Sequence, residues 1–481
     1  MTEAAQTTSS TEGRVRVPRT LGAARRRPSH WAGPRRELIG WAWLAVGALA
    51  VAGVFALLLA LSRVPGMENA PFWPLGFFYK GLVIHVVFSL VIWLEGIFAF
   101  LVSVATLKLA GDDVRLAPLG RIGQGAVLLA FPCLFAPAFL DATQPELANY
   151  VPLIRHPAYD FGLLALALGV LAPVVRLMVN LPGRLAAPPP LALALALAGF
   201  IYVLALACFA IAGMLLVRER ELMSARDELF WGGGHLMQFV YAALMLTNWS
   251  ILARLSLGEK AVDNGVFLLS VLLLALIAIP APAFYAAFAP FSDNQHEAFR
   301  LLQFGIAAPT LIFAGSLFSR ARALRPPSAW PWRDPAFSAL ATSLALFALG
   351  GVMGFMIDGS DTRTPAHYHA VITAVSVSSV GMLLTFGLEE LGRAPAPAGA
   401  TRVLIGLYGG GQFVASIGMF VAGGYGAARK SPTGVGSLDA VAAAGMAVHG
   451  VASIFTILGG AAFVAVAILA LLRPASVRST A

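Results

Sequence analysis

The chain has 481 residues, of which 58% are hydrophobic and only 12% are charged. A soluble domain carries about twice that charged fraction, and much of the net charge of +9 lies in eight arginines between Arg14 and Arg36. This composition excludes a cytosolic enzyme, a nucleic-acid-binding protein and a disordered scaffold. It predicts an all-α, polytopic membrane protein.

Twelve segments are apolar and long enough to cross about 30 Å of hydrocarbon, which takes about 20 helical residues. In chain order they are predicted at 39–62, 81–107, 122–140, 160–180, 189–217, 229–253, 265–289, 301–319, 336–357, 366–388, 402–425 and 441–472. We expect one twelve-helix membrane domain at 39–473. A basic tail at 1–38 precedes it and a short tail at 474–481 follows it.

The distribution of basic residues predicts the orientation of the chain. With the N-terminus in the cytoplasm, 23 of the 33 lysines and arginines fall on the inner side. A bias of this size sets orientation through the positive-inside rule. The first residues lack the apolar region and cleavage site of a signal peptide. We therefore expect a protein of the bacterial cytoplasmic (inner) membrane with both termini in the cytoplasm.

Seven of the eight histidines fall in the outer third of the membrane under this topology, and only His30 lies in the tail. A histidine in lipid is costly and is therefore a functional candidate by default. We expect structural roles for His156 and His449. The other five are His85 in span 2, His235 in span 6, His296 between spans 7 and 8, and His367 and His369 at the start of span 10.

His367 and His369 are the most informative pair. Because they are two residues apart on a helix, they point about 200° apart and cannot bind one metal. They could ligate two separate haems, one on each face of span 10, since imidazole is the commonest ligand of haem iron. The alternative is that one or both form hydrogen bonds between helices.

Two segments resemble signatures of the haem–copper oxidase superfamily, which includes the nitric oxide reductases. Span 10 begins Asp361-Thr-Arg-Thr-Pro-Ala-His367-Tyr-His369 and resembles the family's His-x-His signature. Span 6 begins Phe230-Trp231-Gly-Gly-Gly234-His235 and resembles its Phe-Trp-x-x-Gly-His segment. With the single His85 of span 2, the resemblance covers nearly the whole chain. It is nearest to the large subunit of nitric oxide reductases.

The resemblance implies two haems, which we expect to be b-type, and a second, non-haem metal. His85 and His369 would be the axial ligands of a low-spin haem. His367 would be the proximal ligand of a high-spin haem whose other face is open. His235 and His296 would ligate the second metal opposite that open face.

Basic residues and glycines near these positions have two interpretations each. The family places a basic pair against haem propionates, which implies this role for Arg429 and Lys430 between spans 11 and 12; a solvated pair is the alternative. Gly232, Gly233 and Gly234 cost about 1 kcal/mol each relative to alanine in a helix. They admit either a flat macrocycle or the close packing of another span.

The second metal site departs from the copper-containing oxidases, which use three histidines there. The connection before span 8 has only His296, flanked by Asp293 and Glu297. Carboxylate oxygens favour iron over copper, so we predict iron with Asp293 or Glu297 as a further ligand. In the alternative, Glu297 pairs with Arg300 at a helix start.

The oxidases also supply a tyrosine near this site. In one branch it stands four residues after the span 6 histidine, where this chain has Phe239. Tyr241 points some 240° away from His235 on a helix, and Gln238, one turn after His235, is a candidate to support the metal ligands. Glu95, the one acid deep within a span, either relays protons or bonds to a neighbour.

These features predict a membrane-bound terminal reductase that reduces nitric oxide to nitrous oxide. The alternative is an oxygen-reducing oxidase with an unusual second metal; a twelve-span transporter is remote, because its polar groups would lie near the midplane. The sequence has no CxxCH motif for a c-type haem of its own. Electrons would therefore come from a partner subunit, cytochrome c or quinol. The other expected partners are lipid and a small gas, nitric oxide or oxygen. We expect no binding of nucleic acid.

Overall fold

The computed structural model describes residues 32–61, 77–182, 188–219, 225–357, 361–429 and 438–473. Most of the predicted basic tail, with His30, lies outside the described residues. The C-terminal tail at 474–481 and Lys430 also lie outside them.

Twelve helices in the described ranges are long and apolar enough to span a membrane. This confirms the prediction of an all-α polytopic membrane protein, and the predicted bounds are within four residues of the observed ones except at the start of the first helix and at both ends of the eighth. In chain order the helices are α1 (Ala32–Leu61), α2 (Phe78–Ala110), α3 (Pro118–Phe139), α4 (Pro157–Asn180), α5 (Pro190–Glu219), α6 (Arg226–Leu257), α7 (Asn264–Ala287), α8 (Asp293–Leu324), α9 (Pro335–Gly354), α10 (Arg363–Glu390), α11 (Ala398–Gly424) and α12 (Ala440–Leu472).

The eighth helix begins earlier than its hydropathy indicates. The polar residues after Ser292 predict a connection, yet Asp293–Gln303 is helical and continues through a 3₁₀ turn into the apolar part of α8. The Ser292 hydroxyl accepts a hydrogen bond from the Gln295 N–H at 3.4 Å, which is the usual way to satisfy a free N–H at a helix start. His296 therefore lies on a helix, and its placement in the connection is wrong.

The helices that carry most of the predicted ligands are the most buried ones. The most apolar stretches of α2, α6 and α10 are 83%, 89% and 83% buried, whereas that of α8 is 22% buried. A helix that is buried on all sides belongs in the centre of a bundle. Large apolar side chains of other helices, such as Leu128, Leu311 and Val352, are exposed, which is typical of a surface that faces lipid.

Three helices contain a π-helical turn, which has one more residue per hydrogen-bonded ring than an α-helical turn. These turns are Val87–Ile92 in α2, Leu383–Gly387 in α10 and Gly406–Gly410 in α11. The first of them lies between His85 and Glu95. Ideal helical periodicity therefore does not give the relative direction of these two side chains.

A buried ion pair and a partly buried one join several helices. Arg176 of α4 donates to both carboxylate oxygens of Glu37 in α1 and to the Ser103 hydroxyl of α2. Lys108 of α2 pairs with Glu390 of α10 at 2.7 Å. Because removing one partner of a buried pair leaves an uncompensated charge, these contacts fix how α1, α2, α4 and α10 pack.

The connection between α3 and α4 contains a short hairpin. Strand β1 (Pro145–Glu146) pairs antiparallel with β2 (Leu153–Ile154), and Arg155 bonds Glu146 at 2.9 Å beside them. Residues 147–152 form the tip of this hairpin, which faces the interior of the bundle.

Candidate functional site

A cavity of about 2430 Å³ lies inside the bundle. Its wall is mostly apolar and is formed largely by α1, α2, α4, α5, α6, α10, α11 and α12, together with the hairpin tip. A ligand pocket typically measures about 300–1,000 Å³, so this cavity has room for more than one large cofactor. The lining includes four of the five predicted histidine ligands, His85, His235, His367 and His369.

The two predicted low-spin haem ligands lie in the wall of this one cavity. The Nδ1–H of His85 in α2 donates to the Ala52 carbonyl oxygen of α1 at 3.0 Å. This bond selects the tautomer in which Nε2 carries the lone pair. His369 of α10 stacks with Tyr368, and their ring centroids are 5.1 Å apart.

His367, the predicted ligand of the high-spin haem, is oriented by α9. Its Nδ1–H donates to the Gly350 carbonyl oxygen at 2.7 Å, and a Cβ atom at Gly354 would lie 2.8 Å from its Cε1 atom. Histidines that ligate metals usually donate their other N–H in this way. The hydrogen bond between helices and the ligand role, which the sequence set as alternatives, are therefore compatible.

Both ring nitrogens of the buried His235 have protein partners. Its Nδ1–H donates to the Trp231 carbonyl oxygen at 2.7 Å, and its Nε2 accepts from the Tyr150 hydroxyl at 2.8 Å. The pKa of Tyr150 is above its ordinary value, because burial raises it more than the neighbouring Gln238 lowers it. Tyr150 sits in the hairpin tip. The tyrosine that α6 lacks at Phe239 therefore reaches His235 from a connection.

Side chains of other segments pack directly against the three glycines before His235. A Cβ atom at any of them would collide with a neighbour, and at Gly234 it would lie 2.5 Å from Tyr150 Cγ. The neighbours are Tyr285 and Phe299 at Gly232, Phe209 at Gly233 and Tyr150 at Gly234. Close packing, the second interpretation of these glycines, therefore accounts for them.

His296 of α8 pairs with a carboxylate at the start of α6. Its Nε2 lies 2.6 Å from Glu228 Oε2. The Trp231 ring lies beside both His296 and His235, with centroid distances of 4.8 and 5.0 Å. His235 and His296, the two predicted metal ligands, thus share Trp231 as a neighbour. His235 Nε2 bonds Tyr150, however, whereas His296 Nε2 bonds Glu228.

The two acids predicted beside His296 lie elsewhere. Glu297 pairs with Arg300, and both side chains are about half exposed. This is the alternative role that the sequence left open for Glu297. Asp293 is exposed. Sequence analysis missed Glu228. Its spacing of seven residues before His235 was an available signal, since residues seven apart share a helix face.

Gln238 and Tyr241 both line the cavity on α6. Gln238 is near enough to Tyr150 to affect the pKa of its hydroxyl, and Tyr150 is the residue that contacts His235. Tyr241 lies in the wall of the same cavity as His235. An angular difference of about 240° along α6 therefore did not remove Tyr241 from the site, because the cavity extends around much of this helix.

Arg429, which follows α11, lines the cavity and donates to Asn149 Oδ1 of the hairpin tip at 3.0 Å. The Asn149 N–H in turn donates to Asp227 Oδ1 at 3.0 Å, and Asp361 and Ala428 form an antiparallel bridge. These contacts hold a guanidinium at the cavity wall, where it can bind a carboxylate. Its predicted companion, Lys430, lies outside the described residues.

The two remaining histidines differ. His156 caps α4, where its Nδ1 accepts from the Ala158 N–H at 3.2 Å, so it has the structural role that we expected. His449 of α12 donates from Nδ1 to the Ala415 carbonyl oxygen of α11 at 3.2 Å and also lines the cavity. Its bond between α11 and α12 is compatible with the expected structural role.

The cavity fits haem groups in size and apolar character, and it presents imidazole nitrogens whose tautomers are fixed by backbone carbonyls. The second metal is a different case. Two imidazoles and a carboxylate are donors that suit iron, but the described residues contain no group of three His, Cys, Asp or Glu gathered around one point. A metal bound by His235 and His296 Nε2 would replace their bonds to Tyr150 and Glu228.

Together, the fold and the cavity define an integral membrane protein whose central helices present histidines to a large apolar chamber. Residues 38–459 match the family described as cytochrome c and quinol oxidase polypeptide I, and the chain belongs to this family. It is an oxidoreductase, a membrane terminal oxidase or reductase. Membership implies haems, a second metal, an electron-donor partner and a gas substrate.

The chain is also similar to two further proteins and, in fold, to a solved structure. The chain is 30% identical to an uncharacterized protein of Aquifex aeolicus (strain VF5) over 73% of this chain and 84% of that protein. It is 23% identical to an uncharacterized protein of Rickettsia prowazekii (strain Madrid E) over 88% and 94%. The fold matches a haem–copper terminal oxidase dimer structure with a TM-score of 0.77, 17% identity and coverage of 92% of this chain and 84% of the other.

Proposed function

We propose that this protein reduces nitric oxide: two nitric oxide molecules, two protons and two electrons give one nitrous oxide and one water. One observation carries this choice. His296 is paired with the carboxylate of Glu228 at 2.6 Å, where copper-containing oxidases use further histidines. A carboxylate oxygen favours iron over copper, and non-haem iron with carboxylate ligands is typical of the nitric oxide reductases that the sequence resembles.

We propose two b-type haems in the cavity, one low-spin with His85 and His369 and one high-spin with His367. When bound, a haem with two protein ligands passes electrons, and a haem with one leaves a position for a small gas. The hydrogen bonds of His85 to Ala52 and of His367 to Gly350 support these roles. Each bond places the ring proton on Nδ1, so that Nε2 carries the electron pair that a haem iron would bind.

For the second metal we propose iron held by His235 and His296, with Glu228 in the ligand role that the sequence assigned to Asp293 or Glu297. Gln238 would act on this site through the neighbouring Tyr150. Arg429, which a hydrogen bond to Asn149 holds at the cavity wall, would pair with a haem propionate.

Oxygen is the second candidate substrate, and the contact between Tyr150 and His235 favours it. A tyrosine next to the site can supply a proton and an electron to cleave an O–O bond, whereas nitric oxide reduction does not need one. The sequence argument against oxygen relied on the absence of such a tyrosine. With Tyr150 at 2.8 Å, that part of the argument no longer holds.

The test supplies nitric oxide and oxygen in turn to the purified, anaerobically reduced protein and measures nitrous oxide, oxygen uptake and metal content. We expect nitrous oxide, iron well in excess of copper, and loss of non-haem iron in His235→Ala and Glu228→Gln. Loss of that iron in Glu297→Gln instead would return the ligand role to Glu297. Stoichiometric copper with rapid oxygen uptake and no nitrous oxide would overturn the proposal.

We also propose that the chain lies in a bacterial inner membrane with both termini in the cytoplasm and receives electrons from another protein or from quinol. The excess of basic residues on one side supports this orientation. The absence of a CxxCH motif from the sequence supports an external donor.

A further inference from the structure

The contact between Tyr150 and His235 has the dimensions of two ligands of one metal ion. The Tyr150 hydroxyl oxygen lies 2.8 Å from His235 Nε2. Nitrogen and oxygen ligands lie about 2.0–2.2 Å from a metal such as zinc, so two ligands at right angles to each other are about 3 Å apart. One metal ion can therefore bind both atoms without a large movement of either residue.

The packing around Tyr150 opposes its withdrawal from His235. A Cβ atom at Gly234 would lie 2.5 Å from Tyr150 Cγ and 2.6 Å from Tyr150 Cβ, so the base of the side chain rests directly on α6. The Tyr150 ring centroid lies 4.7 Å from that of His235 and 5.8 Å from that of Trp231. The phenol can leave His235 only if the hairpin tip moves with it.

The hairpin tip itself is bonded on two sides. Asn149, which precedes Tyr150, donates its backbone N–H to Asp227 at the start of α6 at 3.0 Å. Its side-chain oxygen accepts from Arg429 after α11, also at 3.0 Å. A donor atom that its surroundings hold in position suits a metal site. These bonds therefore favour a phenol that stays beside His235 when a metal binds there.

The chemistry of a phenol oxygen suits iron. A bound cation favours the deprotonated form of its ligands, and the resulting phenolate is an oxygen anion, which favours iron over copper. Tyrosine is an axial ligand of iron in catalase. Tyr150 would thus select the same metal as Glu228, which lies 2.6 Å from His296 Nε2.

We propose that Tyr150 is a ligand of the second metal together with His235. This role rests on the proposed function, which assigns a metal to His235. When the metal binds, the Tyr150 hydroxyl gives up its proton to water, and the phenolate oxygen and His235 Nε2 bind the metal in place of the hydrogen bond between them. No electron is transferred in this step. Tyr150 adds a donor where the described residues contain no group of three His, Cys, Asp or Glu.

The first test measures the affinity of the purified, haem-loaded protein for iron(II) after a chelator has removed the second metal. Loss of a residue that only supports a metal ligand weakens binding about 10–100-fold, so loss of a direct ligand in Tyr150→Phe should weaken it about 100-fold or more. If the phenol only competes for His235 Nε2, the variant should instead bind iron more tightly. Native or higher affinity would overturn the inference. Tyr408→Phe, which removes another tyrosine of the cavity wall, should keep native affinity.

The second test is the resonance Raman spectrum of the iron-loaded protein after oxidation to iron(III) with ferricyanide. Charge transfer from a bound phenolate to iron(III) enhances the vibrations of the phenolate ring. Bands that shift when the protein is produced with ring-deuterated tyrosine belong to tyrosine and not to haem. We expect such bands in the native protein and in Tyr408→Phe, and none in Tyr150→Phe. Their absence from the iron-loaded native protein would overturn the inference.

The two proposals fail in different ways. Tyrosine bands in a protein that forms no nitrous oxide would refute the proposed reaction and leave the ligand role intact. Nitrous oxide formation by the native protein, with native iron affinity in Tyr150→Phe, would overturn the ligand role alone. A native protein that binds no iron besides its haems would overturn both.

Discussion

At the scale of single residues, the backbone of a neighbouring helix sets the chemistry of the cavity histidines. His85, His367 and His449 each donate from Nδ1 to a carbonyl oxygen of another helix. Each bond selects one tautomer and leaves Nε2 as the electron-pair donor. His235 does not follow this pattern, because its carbonyl partner lies within its own helix and its Nε2 accepts from Tyr150.

Removing the Tyr150 hydroxyl should destabilise the protein measurably. In Tyr150→Phe the buried His235 Nε2 loses its donor, and a buried polar atom left without a partner costs about 1–3 kcal/mol. Because a metal on His235 Nε2 would replace this bond, the comparison uses protein without the second metal, and we expect a lower midpoint in its thermal unfolding in detergent. The control is Tyr79→Phe, since the Tyr79 ring is more than one-third exposed. Equal midpoints for the two variants would show that the Tyr150 bond contributes nothing.

The contacts of Tyr150 and Glu228 also show what the sequence could not predict. The five candidate histidines are recognisable because helical spacing and membrane depth are local properties of a sequence. The pairing of Tyr150 with His235 joins residues 85 positions apart, and the pairing of Glu228 with His296 joins α6 to α8. Periodicity within one segment does not show which residues of other segments meet, so Tyr150 was missed, and Glu228 was not recognised as the partner of His296.

At the scale of elements, α6 is adapted to close packing at its three consecutive glycines. Each glycine admits a different neighbour, and Gly234 admits the ring of Tyr150. The sequence indicated the close approach but not what approaches, because a missing Cβ atom is equally consistent with a cofactor and with a side chain.

Gly234→Ala should separate the effect of this contact from that of helix propensity. Alanine gains about 1 kcal/mol of helix propensity, but overpacking against Tyr150 costs about 1–3 kcal/mol. We expect a lower unfolding midpoint. The matched control is Gly125→Ala in α3, where an added Cβ atom meets nothing within 4 Å and only the gain applies. A midpoint that rises in both variants would contradict the packing role of Gly234.

The caps of α7 and α9 should respond to pH in opposite directions. Asp263 and Asp334 accept the same kind of backbone hydrogen bonds. The bond from the Val266 N–H, with further help from Arg320, lowers the pKa of Asp263. Burial raises the pKa of Asp334 in spite of its backbone bonds. The charged form is therefore favoured by folding at Asp263 and disfavoured at Asp334.

Asparagine also caps helices well, so substitution by asparagine isolates the charge. The stabilisation from Asp263 is present above its unfolded pKa and is lost as pH falls through its folded pKa. That from Asp334 is present below its unfolded pKa and is lost as pH rises through its folded pKa. At pH 7 we expect Asp263→Asn to lower the thermal midpoint and Asp334→Asn to raise it. Shifts of the same sign would refute this assignment.

Hydropathy predicted the helices well but missed the first turns of α1 and α8. All twelve spans are apolar, and length and composition suffice to find them. The first turns of α8 are polar and partly exposed, so hydropathy excludes them, although the Ser292 cap makes them helical. The π-helical turns were also beyond prediction, since they depend on packing against neighbouring helices and not on composition.

At the scale of the whole molecule, the histidines are gathered in the interior of the bundle, and the outer surface is apolar. The most buried helices, α2, α6 and α10, supply four of the five histidines proposed as ligands, and the outer helices expose apolar side chains. Sequence analysis anticipated this division because both the hydropathy of the spans and the position of each histidine are readable. The shape of the cavity that joins the histidines was not readable.

The orientation of the bundle is a separate prediction. Because 23 of the 33 basic residues lie on one side in the predicted topology, we expect that side to face the cytoplasm. Reporter domains fused after residue 481 and inserted into the connection between α6 and α7 should both be cytoplasmic. A reporter in the hairpin tip between α3 and α4 should lie on the opposite side. The reverse pattern would contradict the orientation.

The central claim is that the cavity holds a low-spin haem whose axial ligands include His85. The most direct measurement is the reduced-minus-oxidised absorption spectrum of His85→Ala beside that of His449→Ala. Both histidines line the cavity and donate from Nδ1 to a backbone carbonyl, so they differ mainly in the role assigned to them. The account predicts that His85→Ala loses the low-spin signal and keeps the high-spin haem, while His449→Ala keeps both. A low-spin signal that survives in His85→Ala, or that disappears in His449→Ala instead, would contradict it.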